Sequence, residues 1–204
     1  VSEFIKSKFV EGIGMNISKI HVLYNGVERK VKKLPKKQKE VLFVGRLVPE
    51  KGVHYYVEAV KSLVNKYPEW TFRLIGSFRL GDKENRNLFA DKIKIKFRSI
   101  GPQAKFHGFQ RQKFVEEKMK NASIIVIPSL WEEPFGLVAA EAMSNGACII
   151  ASKVGGIPEI IKDNGILIEK INFKKLLSKI DHMIQDNKLR RSYQIKAWEN
   201  FELS

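Results

Sequence analysis

The chain has 204 residues, of which 44% are hydrophobic and 29% charged, and a formal net charge of +15. Those proportions are ordinary for a soluble globular protein, no apolar run approaches the length of a membrane-spanning helix, and a single cysteine, Cys148, excludes an internal disulfide framework. The chain begins with Val1 and shows no signal peptide, so it reads as an internal piece of a longer protein with a cytoplasmic address.

Taken in order, the elements alternate. EVLFVGRL (40–47) is a continuous apolar run ending near Gly45, the pattern of a strand buried on both faces. In 53–67 the apolar residues fall at 53, 56, 57, 60, 63 and 64, which is helix spacing, and Pro68 closes the segment. WTFRLIG (70–76) predicts a second strand and the charged stretch 83–98 a helix. A short strand (104–109), a helix (113–122) and another buried strand, SIIVIPS (123–129), follow. Pro134 cannot sit in mid-helix, so EPFG (133–136) is a turn and a helix runs from about Gly136 to the stop signal Asn145-Gly146. Then come a strand (147–152) holding Cys148 as a buried thiol, a short helix (158–162), a strand (164–169) and two helices, near 172–184 and 187–200. Apolar strands separated by helices predict an α/β fold, a Rossmann-like parallel sheet with helices on both faces.

Ligands of such sheets bind over the carboxyl ends of the strands. After the first strand stands GRLVPEKG (45–52). Gly45 lets a ligand approach the backbone, and Arg46 and Lys51 place two cations just before a helix whose N–H groups favour an anion. A diphosphate fits, although the spacing matches neither the G-x(4)-G-K-[ST] loop nor G-x-G-x-x-G. The helix after EPFG aims its first N–H groups at the same crevice. Glu133 in the turn and Glu141 inside the helix are about 12 Å apart if the intervening residues are helical. That exceeds the 5–9.5 Å or so of a glycosidase pair, so the two carboxylates are expected to address two ends of one long ligand, one of them accepting hydrogen bonds from a cis-diol such as a ribose.

These segments, in this order, resemble the C-terminal, donor-binding half of the retaining glycosyltransferases of group 1 (family 4), relatives of glycogen synthase and of the lipopolysaccharide glycosyltransferases. The likeness is carried by LYNGVE (23–28), VLFVGRLVPEKG (41–52), FRLIG (72–76), KFHGF (105–109), ASIIVIPS (122–129), the E-x(7)-E pattern EPFGLVAAE (133–141), EAMSNGACIIAS (141–152) and VGGIPEII (154–161). It implies one half of a double-Rossmann (GT-B) enzyme, with residues 1–28 as the end of the N-terminal half and the crossover, and 29–204 as the nucleotide-sugar domain. It implies that Arg46 and Lys51 hold the diphosphate, that Glu141 bonds the ribose, and that Glu133 faces the donor sugar and the reaction centre as the catalytic acid group. Phe135, Gly136, Leu137 and Val138 would contact sugar and phosphate, Gly45 would line the same site, and the loop at Phe109 would flank the nucleobase. The substrate would be a nucleoside-diphosphate sugar, UDP-sugar before GDP-sugar, and a hexosyl unit would pass with retention to a hydroxyl acceptor in cell-surface glycan or lipopolysaccharide synthesis. No cofactor or metal is expected, and His21, His54, His107 and His182 form no ligand cluster in sequence. The family's N-terminal half, which carries the acceptor site, is absent, so these residues by themselves are expected to be inactive. A double-Rossmann nucleotide-sugar 2-epimerase and a non-catalytic nucleotide-sugar binding module remain alternatives.

Charge adds a last expectation. Residues 1–40 hold ten Lys/Arg against four Asp/Glu, residues 79–120 twelve against five, and residues 121–169 two against six. The run VKKLPKKQK (31–39) lacks interleaved aromatics for base stacking, so nucleic acid is set aside and the run reads as a solvated linker. Segment 77–103 reads as a basic surface helix. Excess charge away from the site fits either a surface drawn to anionic lipid at the inner membrane face or a lysine-rich soluble enzyme.

Overall fold

The computed structural model describes residues 2–78 and 87–201. Six parallel strands form one sheet: β1 Gln38–Val44, β2 Thr71–Ile75, β3 Ala104–Gly108, β4 Ala122–Ile127, β5 Cys148–Ser152 and β6 Ile166–Ile168. Their order is β3-β2-β1-β4-β5-β6, the doubly wound arrangement whose strand order reverses between β1 and β4. Register there pairs Val41 with Ile124, Leu42 with Ile125 and Phe43 with Val126. The helices are α1 Glu3–Ile13, α2 Val53–Leu63, α3 Leu88–Arg98, α4 Gln112–Asn121, α5 Leu137–Ser144, α6 Ile157–Ile161, α7 Phe173–Gln185 and α8 Asn187–Glu199.

Strand alternation divides the apolar residues between two cores. Val41, Phe43, Phe72, Leu74, Ile124 and Val126 face α2, α3 and α7, whereas Leu42, Ile75, Ile125 and Ile149 face α4, α5 and α6. Burying such a side chain contributes about 1.5–3 kcal/mol, and neither face of a central strand is left to water. Helix α2 buries Val53, Tyr56, Val57, Val60 and Leu63, the expected i, i+3, i+4, i+7 set. Its Tyr56 hydroxyl donates to the carbonyls of Val41 (2.9 Å) and Arg73 (3.0 Å), which satisfies the one polar atom of a buried ring. Cys148 is fully buried, and burial pushes its thiol up to about 12.

Several expectations need adjusting. The first strand ends at Val44, one residue before the expected Gly45, whose carbonyl Gly76 packs against, and begins at Gln38 rather than 40. The second helix stops at Leu63, not 67. The helix of 83–98 begins at Leu88, capped by Asn87, whose side chain accepts the Ala90 N–H at 3.0 Å; residues 79–86 lie outside the described part. Nor is α3 merely a surface helix, since it buries Ala90, Ile93 and Phe97. The lysine-rich run is only partly solvated. Lys37 turns inward and its ammonium donates to the carbonyls of Met119 (3.4 Å), Lys120 (2.9 Å) and Asn145 (2.8 Å), closing the C-terminal ends of α4 and α5. Desolvation, with Arg191 nearby, lowers its amine to about 7. Among the described residues no helix is long and apolar enough to cross a membrane.

Candidate functional site

The loops at the carboxyl ends of β1 and β4 meet over the switch point. A short 3-10 turn, Pro49–Lys51, leaves β1 and ends at Gly52, φ +63°. A Cβ there would lie 1.9 Å from the Pro128 carbonyl oxygen, so only glycine lets the β1–α2 loop touch the end of β4. The Glu50 carbonyl then accepts the N–H groups of Leu130 (2.7 Å) and Trp131 (3.1 Å), stitching the two loops together. This places Lys51 against Glu133, and the two form an ion pair in which their side chains are 24% and 14% exposed. The Ser129 hydroxyl donates to the same carboxylate oxygen at 2.8 Å. Behind the turn, Gly156 N–H donates to the Glu133 carbonyl at 2.7 Å, and a Cβ on Gly155 (φ +56°) would lie 2.3 Å from that oxygen.

Glu133 and Lys51 open onto a cleft of about 330 Å³ whose walls include Gly45, Asn25 and the stretch Phe135–Val138. Helix α5 starts at its rim. Its N-cap, Gly136 at φ +107°, brings no capping side chain, so N–H groups of the first turn are left for a ligand. Glu141 lies on the far side of α5, in an adjoining cleft of about 490 Å³ with Gln112, Glu116, Lys30 and Ser144. Leu137 lines both clefts. The Gln112 side-chain amide donates to Glu141 at 3.3 Å. Burial raises the Glu141 carboxyl above its ordinary range, and the Gln112 hydrogen bond only partly opposes this. Lys30 and Glu116 pair at 2.7 Å across the second cleft.

Eight of the ten expected site residues thus line two clefts that share Leu137: Gly45, Lys51, Glu133, Phe135, Gly136, Leu137 and Val138 line the first, and Leu137 and Glu141 line the second. Two do not. Arg46 is exposed at the end of β1, outside both clefts, with no hydrogen bond or ion pair among the described residues. Phe109 lines a separate open surface with Gln110, Arg111 and Phe114. Ser129, Asn25 and Gln112 were missed. Asn25 sits within the LYNGVE motif and Ser129 closes ASIIVIPS, so both could have been found there; Gln112 carries no local signal, because its role arises only when distant segments meet. Among the described residues no group of three or more His, Cys, Asp or Glu could hold a metal ion.

A parallel six-stranded sheet, its order reversing at β1 and β4 beneath a cleft that holds Lys51, Glu133 and the uncapped start of α5, defines a doubly wound α/β domain of the Rossmann-like class. The chain belongs to the glycosyl transferases group 1 family, whose model matches residues 26–199. It is similar to an uncharacterized glycosyltransferase, MJ1178, of Methanocaldococcus jannaschii, at 33% identity over 195 residues, covering 94% of this chain and 50% of that protein. It is also similar to the lipopolysaccharide 1,2-N-acetylglucosaminetransferase of Salmonella typhimurium, at 27% identity over 172 residues, covering 78% of this chain and 45% of that one. Among solved structures, Anabaena Alr3699/HepE in complex with UDP-glucose superposes with a TM-score of 0.78 at 23% identity, covering 99% of this chain and 58% of that one. The chain therefore spans about half the length of the curated relatives it matches. Its fold is that of one half of a double-Rossmann (GT-B) glycosyltransferase.

Proposed function

We propose that the two adjoining clefts hold one nucleoside-diphosphate sugar, with the ribose at Glu141, the diphosphate at Lys51 and the α5 amides, and the sugar at Glu133. The observation that carries this reading is the placement of Lys51, Glu133 and the uncapped start of α5 around one cleft, with Glu141 in the next and Leu137 forming a wall common to both. Lys51 is held by Glu133. An arriving diphosphate competes for that ammonium and leaves the carboxylate free to accept hydroxyls of the sugar. Arg46, exposed and unpaired among the described residues, swings onto the outer phosphate.

Transfer of a hexosyl unit develops negative charge on the departing diphosphate. Once on the diphosphate, Lys51 and Arg46 stabilise that charge together with the α5 N–H groups, which the fold already aims at the cleft, the kind of contribution that dominates many enzymatic rate enhancements. UDP-sugar is the favoured donor, a reading supported by the UDP-glucose held by the Anabaena neighbour. The lipopolysaccharide transferase among the relatives supports an acceptor in cell-surface glycan synthesis. In this reading residues 1–28 end the partner half of the enzyme, that half supplies the acceptor face, transfer proceeds with retention, and the present residues bind the donor without transferring it. The basic segments would draw the enzyme to anionic lipid; vesicle sedimentation that ignores salt would dismiss that part.

The test of the donor site is a thermal-shift panel of uridine, guanosine and adenosine diphosphates. Stabilisation by UDP above the other two is the expected result, and no stabilisation by any diphosphate would overturn the reading.

A further inference from the structure

Glu159, on α6, lines neither of the two clefts. Its carboxylate is nonetheless engaged on both oxygens. One accepts the Phe4 N–H at 2.7 Å; the other accepts the Glu3 N–H at 2.8 Å and the Tyr24 hydroxyl at 3.4 Å. An anion set on the first N–H groups of a helix also meets the positive end of the helix dipole. Helix α1 depends on such a clasp. It has no buried residue of its own, and Phe9 and Ile13 stand exposed, so it is held by polar contacts at its start rather than by a packed apolar face.

The neighbouring contacts of this segment fall on the turn that carries Glu133. Ser2, the buried N-cap of α1, donates its hydroxyl to the Pro134 carbonyl and accepts the Ile5 N–H at 3.2 Å. Lys8 pairs with Glu132 at 3.8 Å. The Tyr24 and Phe135 rings lie 5.9 Å apart, and Asn25 and Phe135 both line the cleft. Residues 132, 134 and 135 are therefore each met by a residue of the segment 2–24, while Glu133 between them meets Lys51. If α1 lifts from Glu159, Ser2 leaves Pro134 and the turn loses its hold on that side.

We infer that Glu159 is a positioning residue for the Glu133 turn: by clasping the start of α1 it keeps Ser2 on Pro134 and holds the turn in the form that lines the cleft. The inference rests on the reading of that cleft as the donor site. In that reading residues 1–28 end the partner half, so the clasp is where that half bears on the sugar end of the cleft.

The experiment compares the whole chain with Glu159→Gln, Ser2→Ala and the double variant, by amide hydrogen exchange and by UDP titration. Without ligand, both single variants should speed exchange at the Gly156 N–H, which donates to the Glu133 carbonyl at 2.7 Å. In Ser2→Ala that amide is far along the chain from the substitution, so a local change at α6 does not account for it. UDP affinity should fall about fivefold in each single variant and little further in the double, because both act through one clasp. Linkage then requires UDP to slow exchange at the Phe4 N–H of the unaltered chain by a similar factor. Faster exchange confined to α1, with the Gly156 N–H and UDP affinity unchanged, would reduce Glu159 to a helix cap and overturn the inference, as would additive losses in the double variant. Failure of the unaltered chain to bind UDP overturns the donor reading instead, and the Gly156 exchange in Ser2→Ala then decides the clasp by itself: faster supports it, unchanged overturns it.

Discussion

Glu133 and Glu141 belong to one stretch of chain and sit in adjoining clefts, yet their surroundings differ. Glu133 is met by the Lys51 ammonium and the Ser129 hydroxyl, so its charge is compensated before any ligand arrives. Glu141 has a single side-chain amide at 3.3 Å and is desolvated enough for its carboxyl to be raised. A compensated carboxylate is set up to exchange partners when a diphosphate takes its lysine. An under-compensated one is set up to gain from a neutral donor such as a diol, which supplies the missing hydrogen bonds without the desolvation cost of a second charge.

The largest expected effect comes from breaking the Glu133 side from behind. Gly155→Ala forces a side chain into a positive-φ position and against the Glu133 backbone. Strain of about 1–3 kcal/mol, with the displaced turn, should lower UDP-sugar affinity by about a hundredfold in calorimetric titration while the sheet still melts cooperatively. Next is Lys51→Ala. A charge-assisted hydrogen bond is worth about 1.5–3 kcal/mol, so UDP binding should weaken about tenfold or more while uridine binding is spared. The same variant strands Glu133, so adding Glu133→Ala should recover part of the lost melting temperature.

Smaller effects sharpen the Glu141 side. Glu141→Ala should weaken UDP several-fold and leave the deoxyribose analogue nearly untouched, about the worth of one ordinary hydrogen bond, 0.5–1.5 kcal/mol. Titration curves of the two nucleotides on one sample decide this. The smallest effect is on stability. Because the folded carboxyl holds its proton more tightly than the unfolded one, Glu141 favours the fold at low pH and loses that contribution as pH rises through its raised value. Glu141→Gln should therefore raise the melting temperature at pH 7, and the gain should vanish as pH falls below the unfolded value of about 4.5.

The sheet was readable because its strands are apolar on both faces. VLFV, SIIVI and CIIA each pack into two cores, and such runs need no distant information to be recognised. The turn at Glu133 and the start of α5 were readable because Pro134 and Gly136 dictate local backbone. What lay hidden depends on contacts between remote segments. The N–H groups of Glu3 and Phe4, at the start of α1, both donate to the Glu159 carboxylate, at 2.8 and 2.7 Å, across 156 and 155 residues. Arg73 reaches the buried Glu40 from the neighbouring strand. Lys37 looks like any lysine of a basic run until two helix C-termini converge on it. Arg46 shows the opposite case, a motif residue whose expected partner is a ligand and whose side chain is exposed outside both clefts.

The central claim is that one ligand spans both clefts. Amide NMR during a UDP titration tests it most directly, by following the backbone N–H groups of Leu137 and Val138 beside Lys51 together with the side-chain amide of Gln112 beside Glu141. The account predicts that all three move and saturate with one dissociation constant. Movement at only one cleft, or saturation of the two clefts at different UDP concentrations, would contradict it.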